Sequence, residues 1–246
     1  MQFEPISAIM PIKGGGAFLR SALASIARQT VPVAELLVID DGMDPSTHAI
    51  IAASAPTAAK TIVLPGPRSG PASARNCGLR AAQGALIAFL DDDDVWPDDK
   101  LERQCRYLAE HPDVLAVGGR IYWFHDWDEA GTPCPTAEDK SIIHVNLGAI
   151  LARRTAFDRL GLFDEEFLYS EDVDFFLRMV DSGWPFALID DNMLYYRRHP
   201  HSMTARGGER EMIDFRRALF SSLKRRKGKL ARKLEEYLVS DRPPRP

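Results

Sequence analysis

Short apolar runs alternate with amphipathic stretches along the first hundred residues. Residues 6–12, 36–39, 61–64 and 86–90 are almost continuously apolar, and they predict four buried strands. After the first run, an apolar face recurs at the i, i+3, i+4, i+7 spacing of a helix, through Leu19, Ala22, Leu23 and Ile26. Residues 49–59 and 72–82 are also predicted to be helical. Buried strands separated by helices predict an α/β fold whose parallel sheet is covered on both faces.

The second half of the chain has a less regular pattern. Helices are predicted over 99–108 and 171–180, and strands over 114–117, 121–124, 145–152, 186–189 and 193–196. Residues 125–142 are polar and contain proline, so a mobile loop is predicted there. Because no internal repeat and no clear linker interrupts the pattern, we predict one domain with two functional halves.

The composition is typical of a globular protein, since 45% of the 246 residues are hydrophobic and 27% are charged. The longest apolar run, residues 85–90, is far shorter than the roughly 18 residues of a membrane-spanning helix. The N-terminus lacks the basic and apolar regions of a secretory signal. The three cysteines, Cys77, Cys105 and Cys134, include no CxxC pair. A cytoplasmic protein in a reducing compartment is therefore expected.

The net charge of −4 conceals two parts of opposite sign. Residues 206–246 contain 13 Lys/Arg and 6 Asp/Glu, a balance of +7, so residues 1–205 carry a balance of −11. Apolar residues keep helical spacing in this basic tail, at Met212, Phe215, Leu219, Leu223, Leu230, Leu234, Tyr237 and Leu238. A helix that packs on the body is favoured, and the alternative is peripheral contact with the inner, anionic face of a membrane. Nucleic-acid binding is not predicted, because aromatic residues are not interleaved with the basic ones.

Acidic residues follow two of the predicted strands. Asp40 and Asp41 end the second strand, and four aspartates, 91–94, follow the fourth. Ligands of parallel sheets bind beyond the carboxyl ends of the strands, so a site is predicted at this edge. Asp91 and Asp93 could share one divalent cation, for which Mn2+ or Mg2+ suits hard oxygen ligands. The alternatives are a solvated surface run at 91–94 and a simple turn at Asp40-Asp41-Gly42.

Other polar segments give weaker signals. Arg75, near the start of a predicted helix, could hold a nucleotide or be a surface cation. The glycines after Lys13 resemble a phosphate-binding loop, but the GxxxxGK[ST] pattern is missing, so a P-loop nucleoside triphosphatase is not supported. Glu171 and Asp172 stand at a predicted helix start, where acids interact favourably with the helix dipole.

Taken together, these segments resemble family 2 glycosyltransferases of the GT-A fold. The matching stretches occur in the family's order, at 6–11, 23–30, 38–42, 70–78, 84–96, 99–101, 151–154, 161–164, 170–174 and 196–202. The resemblance implies a Rossmann-like, mostly parallel central sheet flanked by helices over residues 1–205. In that domain, residues 1–100 are the nucleotide-sugar-binding half and residues 101–205 the acceptor half. Residues 206–246 lie beyond the resemblance and are predicted to be a basic C-terminal helical extension.

The resemblance also implies roles for individual residues. Asp41 is similar to the aspartate that accepts the nucleobase N–H, and Asp92 to one that contacts the ribose or base. Asp91 and Asp93 resemble the DxD pair, with Asp93 the firmer metal ligand to the diphosphate. Asp172 resembles the general base of an inverting transfer. His199 could lie on the metal side of the diphosphate, and the alternative for a lone histidine after a strand is a structural role. Arg75, as a nucleotide ligand, completes the predicted site residues.

One segment departs from the family pattern. Where the family usually shows Pro-Thr-Tyr-Asn in its nucleotide site, this chain has Pro11, Ile12, Lys13 and Gly14, so Lys13 and Gly14 replace the aromatic residue and the asparagine. Lys13 cannot pack on a nucleobase as an aromatic ring does, and it could meet phosphate charge instead. A UDP-sugar is therefore the default donor only.

The predicted partners are a nucleotide-sugar donor and a glycan or lipid-linked acceptor, as in cell-envelope polysaccharide or glycolipid synthesis. Two other functions are compatible with the acidic motif. A haloacid-dehalogenase-like phosphatase would use Asp91 as nucleophile and Asp93 as acid, with residues 189–191 as its later acidic strand end. A sugar-nucleotide-binding protein without catalysis would keep the same pocket.

Overall fold

A computed structural model describes residues 3–13, 16–42, 44–129, 131–200, 202–203 and 208–226. The apolar positions 230, 234, 237 and 238 of the tail lie outside the described residues, as do Gly14 and Gly15.

The first half alternates strand and helix as its hydrophobic pattern predicts. The elements are β1 (Ile6–Ile12), α1 (Leu19–Ala27), β2 (Glu35–Asp40), α2 (Pro45–Ser54), β3 (Lys60–Pro65), α3 (Pro71–Ala81) and β4 (Leu86–Phe89). The four strands are parallel and lie in the order β3-β2-β1-β4. Helix α2 begins four residues before its predicted start, because the Asp44 carboxylate caps it through Ser46 N at 2.9 Å and Pro45 suits the first helical position.

The second half extends the same sheet. Its elements are α4 (Lys100–Glu110), β5 (Ala116–Phe124), β6 (Lys140–Ile142), a 3-10 turn (Leu147–Ala149), β7 (Leu151–Arg153), α5 (Arg154–Leu160), α6 (Glu171–Ser182), β8 (Phe186–Arg197) and α7 (Gly208–Arg225). Strand β7 pairs antiparallel with both β4 and β5, and β8 pairs parallel with β5. All eight strands therefore form one mostly parallel sheet, and the expected GT-A-like α/β arrangement is confirmed.

Four predictions for the second half are corrected. The strands predicted at 114–117 and 121–124 are one strand, β5, and those at 186–189 and 193–196 are one strand, β8. The pairing register shifts on either side of Arg120. These shifts keep β5 and β8 paired although polar residues, 190–192, interrupt the apolar pattern of β8. The strand predicted at 145–152 divides into the 3-10 turn, capped by Asn146, and β7. The loop predicted at 125–142 contains β6 and a turn in which Trp127 pairs with Pro133.

The core lies on both faces of the sheet, because side chains alternate along each strand. Ile6, Ala8 and Met10 of β1 point into one cluster with α1 and α4. Ile9 of the same strand points into the other cluster, with α3, α5 and α6. Because β1, β2 and β4 are buried along their length, side chains that can reach a ligand lie at the ends of these strands, which positions the site there.

Helix α7 packs on the body through a face that the apolar spacing does not predict. Asp214, Ala218 and Ser222 are buried against the body. In contrast, Met212, Ile213, Phe215, Leu219, Phe220 and Leu223 are exposed. A tail helix therefore packs on the body as predicted, but it does so through its polar face, which is opposite to the apolar face that the spacing predicts. No helix within the described residues is both long enough and apolar enough to cross a membrane.

Candidate active site

The four aspartates 91–94 form a turn that is held at both of its ends. Asp94 N donates to Asp91 O at 3.3 Å, and the buried Asp94 carboxylate accepts Arg197 N at 2.9 Å. The next residue, Val95, exchanges backbone hydrogen bonds with Tyr195 at 3.0 and 2.9 Å. Because Asp94 faces inward, the turn leaves the carboxylates of Asp91 and Asp93 about one third exposed, at 36% and 31%.

Arg197, which is not among the predicted site residues, is the buried cation beneath this turn. Its Nε donates to Asp93 O at 2.9 Å, and its Nη2 donates to Ser21 Oγ and Gly131 O, both at 3.2 Å. The guanidinium carbon lies 4.3 to 5.0 Å from the ring centres of Phe18, Trp127 and Phe124. The sequence signal that could have identified Arg197 is its position two residues before the predicted site residue His199.

Asp93 is paired with His199. The two are joined by a hydrogen bond of 3.0 Å between Asp93 Oδ2 and His199 Nε2, and the mostly buried imidazole lies 5.0 Å from the ring of Phe18. Burial, and then the neighbouring carboxylates, raise the pKa of Asp92 to about 8. The pKa values of Asp93 and Asp94 are raised for the same reasons, although His199 opposes the shift of Asp93.

These residues fit a hard divalent cation by their chemistry. The turn concentrates carboxylates, and a bound cation would relieve their mutual repulsion. Two of these carboxylates, those of Asp91 and Asp93, are about one third exposed. The described residues contain no cluster of three or more side chains already gathered at metal-binding distance. A cation at Asp93 would thus take further ligands from a bound molecule or from rearranged side chains.

Arg75 links this turn to the start of α6. From the second turn of α3 its Nη2 donates to Asp91 Oδ1 at 2.6 Å, and its Nη1 donates to Glu171 Oε1. The guanidinium is buried, with 8% of the side chain exposed. One cation therefore brings together carboxylates that are 80 positions apart in the chain, and Glu171 is a site residue that the predicted set omits.

Asp172 lies next to this bridge. Ser170 precedes the helix in the left-handed conformation, with φ of 62°, and the Asp172 Oδ1 accepts Val173 N at 2.7 Å. Burial raises the pKa of Asp172 to about 6 and that of Glu171 to about 7, while Arg75 opposes both shifts. Asp91 also raises the pKa of Asp172, which reflects the proximity of the two carboxylates. A carboxylate with this pKa is ionised at neutral pH and suited to accept a proton.

Asp41 and Asp40 have different environments although they are adjacent. Asp40 is fully buried, where its carboxylate accepts Gly42 N at 2.9 Å and pairs with His48 Nε2 at 3.0 Å. Asp41 is half-buried at the end of β2, and its Oδ1 accepts Arg68 N at 2.8 Å. A Cβ on Gly66 would lie 2.0 Å from the same oxygen, so only glycine permits this approach.

The end of β1 and the residue that follows it, Lys13, reach the same edge of the sheet. Pro11 is half-buried and Lys13 is exposed. The Ile12 side chain belongs to the hydrophobic core, so this residue reaches the edge with its backbone, where Ile12 O accepts Asp41 N at 2.9 Å. The structure thus brings β1, β2 and β4 to one edge, and Arg75 connects that edge to α6.

Comparison with known proteins places the chain among transferases. Residues 7–160 match the model of a family described as Glycosyl transferase family 2. The chain is 25% identical over 218 residues to an uncharacterized glycosyltransferase, EpsJ, of Bacillus subtilis (strain 168), which covers 81% of this chain and 62% of that protein. It is 35% identical over 106 residues to the Escherichia coli UDP-Glc:alpha-D-GlcNAc-diphosphoundecaprenol beta-1,3-glucosyltransferase WfgD, covering 43% of this chain and 42% of that protein.

Among solved structures, the fold is similar to the mannosyltransferase PcManGT from Pyrobaculum calidifontis, a complex with GDP-Man and Mn2+. The TM-score is 0.68 at 18% identity, over 91% of this chain and 65% of that one, which shows the fold alone. The chain spans 49% to 62% of the length of its first three curated relatives.

Proposed function

The chain belongs to glycosyl transferase family 2, and we propose that it transfers a sugar from a nucleotide-sugar donor to an acceptor hydroxyl with inversion at the anomeric carbon. The observation that carries the proposal is the Arg75 bridge between Asp91 and Glu171. It joins the acidic strand end, where a donor diphosphate would bind, to the segment that holds Asp172. Family membership removes the phosphatase alternative, which is wrong for this chain.

Asp172 is the proposed general base. It takes the proton of the acceptor hydroxyl while that oxygen forms a bond to the anomeric carbon, and the bond from this carbon to the donor phosphate breaks. The electron pair of the broken bond leaves with the nucleoside diphosphate. Glu171 and Arg75 position Asp172, because their ion pair fixes the first turn of α6.

Mn2+ or Mg2+ is the proposed cofactor. Asp93 would hold the cation, with Asp91 and His199 beside it, and the bound cation supplies Lewis-acid stabilisation of the charge on the departing diphosphate. The carboxylates of Asp91 and Asp93, each about one third exposed, and the raised pKa of Asp93 support this assignment.

The donor is proposed to lie along the edge formed by β1, β2 and β4. In this proposal Asp41 and Asp92 contact the nucleoside, and Lys13 contacts phosphate charge. Nucleotide binding by Arg75 is predicted from the sequence, but its two Nη atoms already engage carboxylates, so we assign it to positioning instead. A UDP-sugar stays the default donor; the relative WfgD carries UDP-Glc in its name and PcManGT was solved with GDP-Man.

The acceptor is proposed to be a glycan or a lipid-linked glycan of the cell envelope. The name of WfgD specifies a diphosphoundecaprenol-linked acceptor, which supports the lipid-linked class. A lipid-linked acceptor resides at a membrane, so peripheral membrane contact of the basic tail belongs to the same proposal.

A thermal-shift panel of UDP-, GDP- and dTDP-sugars, with and without Mn2+, tests the donor and metal assignments. We expect one nucleotide to raise the Tm, and only when Mn2+ is present. Asp93→Asn should abolish the metal-dependent part, whereas the exposed Asp113→Asn control should keep it. If no sugar nucleotide raises the Tm and no sugar is transferred, the proposed function is wrong. Donor binding without any transfer would favour the binding protein that lacks catalysis.

A further inference from the structure

Helix α7 is attached to the body by its polar face. The buried Asp214 carboxylate accepts Leu168 N and Tyr169 N, both at 3.1 Å. Ser222 donates to Asp181 at 2.9 Å, and Arg225 donates to the same carboxylate at 2.7 Å. The helix is thus held by hydrogen bonds and ion pairs, and its large apolar side chains are not needed for packing.

Those apolar side chains lie together on the opposite face. They are Met212, Ile213, Phe215, Leu219, Phe220 and Leu223, and each is exposed. Phe220 and Leu223 are exposed to 62% and 61%. Offsets of three, four and seven residues place them side by side along the helix. A contiguous exposed apolar face of this kind marks an interaction surface.

The charges along the middle of this face are positive, and one acidic residue, Glu209, lies in its first turn. Arg216 lies within the apolar face, and a shallow groove there is lined by Ile213, Arg216, Arg217, Phe220, Ser221 and Lys224, none of which is acidic. An apolar helix face with basic residues in and beside it is complementary to the boundary between anionic headgroups and acyl chains.

The geometry points to an anionic lipid surface as the occupant of this face of α7, and we infer that the helix docks there in the plane of the membrane. A second copy fits less well, because two-fold pairing along the face would bring the Arg216 side chains of both copies into one apolar interface. Residues 227–246 also fit less well, since they contain 6 Lys/Arg against 3 Asp/Glu and would add positive charge to a basic face.

The docking helix is connected to the candidate active site. Asp214 bonds the backbone of the two residues before Ser170, and Glu171 and Asp172 follow directly. Docking of α7 would therefore hold the base-bearing segment close to the bilayer, where a lipid-linked acceptor presents its hydroxyl. This consequence rests on the proposed function, whereas vesicle binding itself requires no sugar transfer.

Co-sedimentation of the full chain with phosphatidylcholine vesicles, with and without phosphatidylglycerol, tests the inference. We expect binding to the anionic vesicles that weakens as salt is added. Phe220→Ser combined with Leu223→Ser should lower the vesicle affinity roughly tenfold or more, since two large side chains no longer enter the lipid. Ile143→Ser, at another exposed apolar residue, should keep wild-type binding. Arg216→Gln should reduce the dependence on phosphatidylglycerol.

Three results would overturn the inference. The first is failure of the wild-type chain to bind anionic vesicles. The second is unchanged binding by the double serine variant, which would assign any binding to charge elsewhere. The third is a dimer, measured by light scattering, that becomes monomeric in that variant, because the face would then be an interface between copies. Intact vesicle binding together with a lack of sugar transfer would instead count against the proposed function alone.

Discussion

Replacement of Asp172 by asparagine separates chemistry from binding. The Asn side-chain oxygen can still accept Val173 N, and Arg75 keeps its bonds to Asp91 and Glu171. The variant loses only the ability to take a proton. Because burial raises the pKa of Asp172, its ionised form is disfavoured in the folded protein, so the neutral amide is expected to leave the Tm unchanged or higher.

The expected loss of kcat is about 10²- to 10⁴-fold, the usual contribution of a general base, or about 3 to 5 kcal/mol in the activation barrier. The pH profile supplies a second measure. With a pKa of about 6, Asp172 is ionised at pH 7.5 and becomes protonated below pH 6. The wild-type kcat/KM should therefore fall about tenfold per pH unit below pH 6, and the residual activity of the variant should lack this limb.

Release of nucleoside diphosphate in a coupled assay measures the rate, and titration calorimetry measures donor affinity. The donor Kd should stay close to that of the wild type, and Asp113→Asn serves as a control for loss of one exposed carboxylate. A loss of kcat below about tenfold, or an acid limb that persists in the variant, would refute the assignment of Asp172 as base. A parallel loss of donor affinity and Tm would show a structural role instead.

Three further changes test the residues around this base. Arg75→Met leaves the buried Glu171 and the partly buried Asp91 unpaired and should lower the free energy of unfolding by about 3 kcal/mol, measured by urea denaturation, together with kcat. Arg197→Lys removes the planar contacts beneath Asp93 and should raise the Kd for Mn2+, measured by electron paramagnetic resonance, while kcat at saturating metal changes little. Gly66→Ala places a methyl group against the Asp41 carboxylate and should weaken donor binding in calorimetry more than it lowers the Tm, whereas unchanged affinity would remove Asp41 from the donor site.

The parallel half of the sheet could be predicted because its signals are local. Each buried strand is a continuous apolar run, and the aspartates follow directly where a run ends. The edge of the sheet that carries Asp41, Asp91 and Asp93 was predictable on the same basis. The pairing of β5 with β8 was not, since it joins residues about 70 positions apart and passes through register shifts that interrupt the apolar pattern.

The connections within the site depend on tertiary structure. No spacing in the sequence indicates that Arg75 contacts both Asp91 and Glu171, because these partners come from separate elements. The position of Arg197 two residues before His199 marks it as a neighbour of the site, but does not indicate that it supports the turn of Asp93. Family resemblance selects Asp172, and the sequence predicts Arg75 only as a nucleotide ligand, not as the buried cation that bridges two carboxylates beside this base. Burial and charge together determine the pKa of Asp172, and both are properties of the folded chain.

Helix α7 shows the same division most clearly. The amino-acid sequence by itself determined that residues 208–225 form an amphipathic helix, since apolar and polar positions repeat with the helical period. Only the tertiary structure decided which face meets the body. Asp214 and Ser222 satisfy partners that the body offers, so the polar face packs inward and the apolar face is left exposed. Periodicity specifies that a helix has two faces, but the surface it packs against selects between them.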